Sequence, residues 1–96
     1  MRVLTVILIV TFSFFLLAEN VTVVLDWYPN TNHTGIFVAK DLGFYDEEGL
    51  SVKVIQPSKL TSEQIVASGR AEFGISYQEA VTLARGEGLP IVSICA

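Results

Sequence analysis

Short apolar runs rich in β-branched residues alternate with segments of helical pattern along residues 19–96. The apolar runs are typical of strands, and the segments between them place apolar residues on neighbouring helical turns. Residues such as Gly, Pro, Asn and Asp separate the two kinds of segment, as is usual in turns. The pattern predicts strands at 21–25, 50–55, 72–76 and 91–95, and helices at 35–42, 61–68 and 77–85.

Strand and helix alternation of this kind predicts an α/β fold with right-handed crossovers and a mostly parallel sheet. Within the second strand, Leu50, Val52 and Val54 alternate with polar residues, which predicts one partly exposed face. The fourth strand is almost wholly apolar, and parallel strands are normally covered on both faces. We therefore expect an incomplete α/β unit, the first half of a larger lobe, in preference to a self-contained domain.

The first eighteen residues have the pattern of a secretory leader. Arg2 precedes an almost unbroken apolar run at 3–17, and the small residue Ala18 stands just before the polar Glu19. An apolar run of this length is shorter than the roughly twenty residues of a membrane-spanning helix. Leu16, the third residue before the cut, is not the small residue preferred at that position. We expect a signal peptide at 1–18, export to the periplasm or another extracytoplasmic space, and a mature portion at 19–96.

The charge of residues 19–96 argues against two classes of partner. Five basic residues stand against ten acidic ones, a net charge of −5. Nucleic acids and anionic membrane surfaces are bound by clustered Lys and Arg, so neither is expected here. Cys95 is the single cysteine and lies in the apolar run 91–96, where we expect a small buried side chain.

Two polar segments follow predicted strands, at 26–35 and 76–79. Ligands of open parallel sheets bind beyond the carboxyl ends of the strands, which is where both segments should lie. Each combines aromatic rings with amide, hydroxyl and carboxylate groups. Rings provide flat faces for stacking and polar groups fix orientation, so this composition suits a flat heteroaromatic ligand with ring nitrogens.

Structural roles remain open for the same residues. Asp26 and Asn30 are residue types that often bond to nearby backbone in loops, and Trp27 serves equally well in packing or in ligand contact. His33 is the single histidine, and we expect it to cap the helix at 34–35 or to bond to ligand, because no nucleophile and orienting partner accompany it. Glu79 suits the first turn of a helix by charge alone. The sequence predicts no catalytic group, no metal site and no phosphate loop.

The segment DWYPNTNHTG at 26–35 resembles the opening motif of the thiamine-pyrimidine group of solute-binding proteins (SsuA/THI5-like, NMT1-type). The similarity continues at 38–45, 48–50, 66–79 and 88–90. Within it, GISYQE at 74–79 is the second motif that points to the pyrimidine branch.

This resemblance implies a lobe of a type II periplasmic binding protein, with no cofactor, that captures a pyrimidine and delivers it to an ABC permease. The formylamino- and hydroxymethyl-pyrimidines are the ligands it suggests. Residues from the two matching loops become candidate ligand contacts: Asp26, Trp27, Asn30, His33, Thr34, Ser76, Tyr77, Gln78 and Glu79.

Two alternatives accompany this interpretation. Fungal pyrimidine synthases of thiamine biosynthesis share the fold and consume a histidine with pyridoxal phosphate, but the segment 77–82 contains no histidine. Alternatively, the chain is an interaction module completed by a separately encoded C-terminal portion. Because the resemblance implies a second lobe, we expect residues 19–96 alone to bind ligand weakly or not at all.

Overall fold

The computed structural model describes residues 17–96, so the predicted leader lies almost wholly outside the described residues. Three parallel strands form the sheet, in the order β2-β1-β3. Their bounds are Glu19–Val24 for β1, Leu50–Ile55 for β2 and Phe73–Gly74 for β3. The predicted α/β class with a parallel sheet is therefore confirmed, as an open three-stranded portion of a lobe.

Four short helices connect and cover the strands. They span Thr34–Asp41 (α1), Phe44–Glu47 (α2), Ser62–Ala67 (α3) and Gln78–Gly86 (α4). Gly43, with φ of 77°, separates α1 from α2, which confirms it as the end of the first helix. The pattern predicts no element between the helix at 35–42 and the strand at 50–55, but α2 forms there. None of the helices within residues 17–96 is long and apolar enough to cross a membrane.

The core lies between β1 and α3. Val24, Ile65 and Ala71 are its buried centre, and Ile55, Leu60 and Val66 pack against it. Gly74 lets α3 approach the sheet, because a Cβ atom at this position would lie 3.0 Å from Val66 Cγ2 and 3.3 Å from Val24 Cγ1. The core residues of β1, β2 and α3 fix how the strand ends and the start of α3 are arranged.

The predicted fourth strand is wrong. Residues 91–96 form no regular element, and Val92 and Ile94 are both 70% exposed. Cys95 is exposed as well, contrary to the buried position expected for it. Only Ile91 is buried in this segment, where its carbonyl accepts a hydrogen bond of 2.7 Å from Arg85 Nη1. An apolar β-branched run becomes a strand only by pairing with a neighbouring strand, and this segment pairs with none of the three.

Candidate functional site

An open cleft of about 340 Å³ lies beyond the carboxyl ends of the three strands. The loop after β1 contributes Asp26 and Trp27, and the connection from β2 into α3 contributes residues 57–63. Tyr77 and Ala80 complete the lining from the loop after β3 and from α4. Parallel strands bring all three loops to one edge, so residues far apart in sequence line a single cleft.

Exposed aromatic rings stand at this edge. Trp27 is 65% exposed and Tyr77 is 60% exposed, although large aromatic side chains are usually mostly buried. Trp27 contacts Tyr28 edge to face, with 5.7 Å between the ring centroids and 88° between the planes. A second hollow of about 240 Å³ adjoins these two rings and the strand end at 56–58. Trp27 thus lines both hollows and offers ring surface for stacking.

A buried histidine fixes one carboxylate of the cleft. His33 is 1% exposed, and its Nε2 lies 2.7 Å from Asp26 Oδ1. Its Nδ1 accepts a hydrogen bond of 3.2 Å from the backbone N–H of Asn30. Because Nδ1 is the acceptor, the neutral ring carries its proton on Nε2 and donates it to Asp26. His33 therefore ties the cleft carboxylate to the backbone of its own loop.

The expectation that His33 caps the following helix is wrong. It occupies the N-cap position of α1, but its side chain makes no capping hydrogen bond there. The ring closes the preceding 3₁₀ turn, Thr31–His33, instead. Asn30 caps that turn, since its Oδ1 accepts from the Asn32 N–H at 2.9 Å while its Nδ2 donates to the Tyr28 carbonyl at 2.9 Å. These bonds give the loop a fixed shape.

A second carboxylate of the cleft belongs to Glu63, in the first turn of α3. Thr61 caps this helix in a reciprocal capping box with Gln64. Ser76, in the loop after β3, donates a hydrogen bond to Glu63 Oε1. Ser62 Oγ lies 3.3 Å from the same oxygen and 2.8 Å from the Ile75 carbonyl, so its one proton serves only one of them at a time.

Partial burial raises the pKa of Glu63, but hydrogen bonds outweigh it. The donors are the Ser76 hydroxyl, the backbone N–H of Glu63 itself, and the hydroxyls of Thr61 and Ser62. Together they hold the pKa of this carboxyl below its ordinary value. The cleft thus contains a carboxylate that is ionised at neutral pH and held by groups from two different elements.

The candidate residues of the sequence fall into three groups. Three line the cleft directly: Asp26, Trp27 and Tyr77. Four support it from behind or from within the first loop: Asn30, His33, Thr34 and Ser76. Two are exposed on the first turn of α4 and do not line the cleft: Gln78 and Glu79. Ligand contact by any of the nine stays a prediction.

The sequence reasoning missed the loop after β2 and the start of α3. Lys59 and Glu63 both line the cleft from there. The signal was available, because the rule that selected the loops after the first and third strands applies equally to the second.

The lining of the cleft combines charged, hydroxyl and aromatic groups. Across residues 17–96, no three His, Cys, Asp or Glu side chains are grouped so that they could hold a metal ion. The lining offers two carboxylates, one ammonium group, several hydroxyls and two exposed rings, which suits a flat molecule carrying N–H donors.

Comparison with known proteins places the chain in a family. The family model described as NMT1/THI5 like matches residues 30–96. A protein of Halalkalibacterium halodurans named formylaminopyrimidine-binding protein is 46% identical over 79 residues, covering 81% of this chain and 24% of the relative.

Two further relatives are named 4-amino-5-hydroxymethyl-2-methylpyrimidine phosphate synthases. That of Legionella pneumophila is 37% identical over 79 residues, covering 81% of this chain and 25% of the relative. That of Saccharomyces cerevisiae, THI11, is 25% identical over 79 residues, with 81% and 23% covered. The chain spans about a quarter of the length of these relatives. The resemblance noted in the sequence motifs is confirmed, and the chain belongs to the NMT1/THI5-like family.

Proposed function

We propose that this chain is the ligand-facing portion of a solute-binding protein that captures a thiamine pyrimidine precursor of the formylaminopyrimidine or hydroxymethylpyrimidine type. The observation that carries the proposal is the cleft at the carboxyl edge of the sheet, where the exposed rings of Trp27 and Tyr77 stand beside the carboxylates of Asp26 and Glu63. The 46% identity to a protein named for binding formylaminopyrimidine supports this choice of ligand.

The physical fit is specific in two respects. A pyrimidine is flat, and stacking on an aromatic ring uses its whole face. Its exocyclic amino group donates N–H bonds, for which the carboxylates of Asp26 and Glu63 are charged acceptors. The cleft volume of about 340 Å³ lies at the small end of ligand sites, as a single-ring molecule requires. Because the cleft is open, we propose that a second lobe closes over the ligand before delivery to an ABC permease.

A synthase is the second candidate, since two of the relatives described above carry that name. A synthase of the fungal kind consumes a histidine, which must reach the reacting molecules. His33 is buried, and both of its ring nitrogens are hydrogen-bonded. This supports reversible binding over a reaction at His33. Incubation with pyridoxal phosphate and iron followed by mass spectrometry separates the two, because only the synthase would lose mass at a histidine.

Export forms part of the proposal. Strand β1 begins at Glu19, directly after the predicted cut, and its first N–H bonds to the Gly49 carbonyl at 2.9 Å. Removal of residues 1–18 would therefore leave the sheet intact. The N-terminal sequence of the protein recovered from its native host tests this, with Glu19 expected as the first residue.

Because residues 19–96 alone are expected to bind weakly or not at all, ligand binding is tested by calorimetric titration of formylaminopyrimidine into purified protein that includes the proposed second lobe. Stacking of a base on an aromatic ring contributes about 1–3 kcal/mol, so we expect Trp27→Ala to weaken binding about 5- to 150-fold. Trp27→Phe should retain much of the affinity. Phe44→Ala, which removes a half-exposed ring outside the cleft, is the control. Equal affinity of Trp27→Ala and the unsubstituted protein would refute the proposed site.

A further inference from the structure

We propose that Glu63 is a specificity-determining residue that makes the cleft select the unphosphorylated aminopyrimidine and reject its phosphate ester. This inference rests on the proposed function and narrows its ligand class. The carboxyl and amino side chains that line the cleft are those of Asp26, Lys59 and Glu63, with a net charge of −1 when all three are ionised. A phosphate monoester carries close to two negative charges at neutral pH.

Glu63 is held in place by its neighbours. The Ser76 hydroxyl, from the loop after β3, bonds to its Oε1. Ser62, next to it, is 4% exposed and is anchored to the Ile75 carbonyl of the same loop. Moving the Glu63 carboxylate out of the cleft would break its bond to Ser76. The lowered pKa of Glu63 agrees with a carboxylate that stays charged at neutral pH.

Asp26 is fixed by an independent contact. Its Oδ1 accepts the 2.7 Å hydrogen bond from the buried ring of His33. Two carboxylates, one from the loop after β1 and one from the first turn of α3, are thus both held at the lining of one cleft. There they can accept N–H bonds from an amino-substituted ring. The same pair repels an anion, because like charges brought together at a binding interface are strongly unfavourable.

Lys59 is the opposing group, and it is exposed in the loop before α3. Two backbone N–H groups at the start of α3 are also not free to bind a phosphate. The Gln64 N–H is already bonded to Thr61 Oγ1 at 3.3 Å, and the Thr61 N–H is bonded to Gln64 Oε1 at 3.0 Å. The lining therefore contains one exposed ammonium group and two carboxylates that are held by hydrogen bonds. This balance of charge favours a neutral or cationic ligand.

The test compares 4-amino-5-hydroxymethyl-2-methylpyrimidine with its phosphate ester by calorimetric titration of purified protein that includes the proposed second lobe. We expect the free base to bind at least about tenfold more tightly than the ester, a ratio that decreases as salt screens the repulsion. Glu63→Gln keeps the side-chain shape and an oxygen for Ser76, and we expect it to reduce the ratio severalfold. Glu47→Gln, an exposed position on α2 away from the cleft, should leave the ratio unchanged.

The outcomes separate this inference from the proposed function. Equal binding of both compounds, or tighter binding of the ester, would overturn the inference while leaving pyrimidine capture intact. The same holds for a ratio that Glu63→Gln does not change. Binding of neither compound to protein that includes the proposed second lobe would refute pyrimidine capture and this inference together. Because the ratio and its salt dependence are measured on the unsubstituted protein, the test does not depend on the variant folding.

Discussion

Substituting His33 by alanine removes two hydrogen bonds and a buried ring from the loop that carries Asp26 and Trp27. One bond joins Nε2 to the Asp26 carboxylate at 2.7 Å, and the other joins the Asn30 N–H to Nδ1 at 3.2 Å. A hydrogen bond to a charged group contributes about 1.5–3 kcal/mol, and one between neutral groups contributes about 0.5–1.5 kcal/mol. The side chain of Asp26 is 22% exposed, so water replaces only part of what it loses.

We therefore expect His33→Ala to lower the free energy of unfolding by about 3 kcal/mol, near the middle of the summed range. That corresponds to a change of about 150-fold in the unfolding equilibrium. In a domain of this size, the midpoint of thermal unfolding should fall by about 12–24 °C. The effect is large for one residue because small domains have only about 5–15 kcal/mol of stability in total.

Two amide substitutions separate the contributions of the ring nitrogens. The Asn oxygen can replace Nδ1 as the acceptor for the Asn30 N–H, and the Gln amide nitrogen can replace Nε2 as the donor to Asp26. Because the bond to the charged carboxylate is the stronger one, we expect His33→Gln to be more stable than His33→Asn. Both should lie between the unsubstituted protein and His33→Ala.

Urea unfolding followed by far-ultraviolet circular dichroism measures these differences, since it reports on the whole fold and not only on the loop. Asn32→Ala is the matched control, because it changes an exposed side chain in the same turn and keeps its backbone N–H. The reasoning is refuted if His33→Ala costs less than about 1 kcal/mol, the level of one neutral hydrogen bond. It is also refuted if the Asn variant is the more stable of the two amides.

Two further predictions concern the stability of the fold. Gly74→Ala should lower the free energy of unfolding by about 1–3 kcal/mol, because its methyl group would lie 3.0 Å from Val66 Cγ2. Urea unfolding midpoints test this prediction. Gly35→Ala is the control, because no atom lies within 4 Å of its new Cβ. Glu63 has a lowered pKa in the folded state, so its stabilising contribution is complete above the ordinary carboxyl pKa and disappears as the pH falls through the lowered value. Urea midpoints measured as the pH is lowered below that ordinary value should therefore decrease less for Glu63→Gln than for the unsubstituted protein. If the midpoints of both proteins decrease equally with pH, the lowered pKa of Glu63 is contradicted.

The candidate site was predicted only in part, and the reason lies in how its residues were selected. Asp26, Trp27 and Tyr77 follow strands directly, so the rule for parallel sheets located them. Glu63 lies seven residues after Gln56, the polar residue at which the pattern of the second strand ends. From the sequence alone it is an ordinary acidic residue in the first turn of a helix. Its contact with Ser76, thirteen residues later, depends on how α3 packs against the loop after β3.

The sequence by itself determined the alternation of strands and helices, the parallel α/β class and the family. These features depend on local signals, namely apolar periodicity, turn residues and short motifs. It also determined the bounds of the second strand, at 50–55, because its alternating pattern ends at the polar Gln56 and at Pro57. Local signals are sufficient where the backbone conformation is set by neighbouring residues.

Only the tertiary structure decided the outcome at the last segment and at His33. Residues 91–96 have strand composition but pair with none of the three strands within residues 17–96, and pairing is a long-range event that composition does not encode. His33 has the sequence features of a cap or a ligand contact. In the structure it is buried, and its 2.7 Å hydrogen bond holds the Asp26 carboxylate at the lining of the cleft. Burial and partner choice depend on which surfaces the fold brings together, and that is decided in three dimensions.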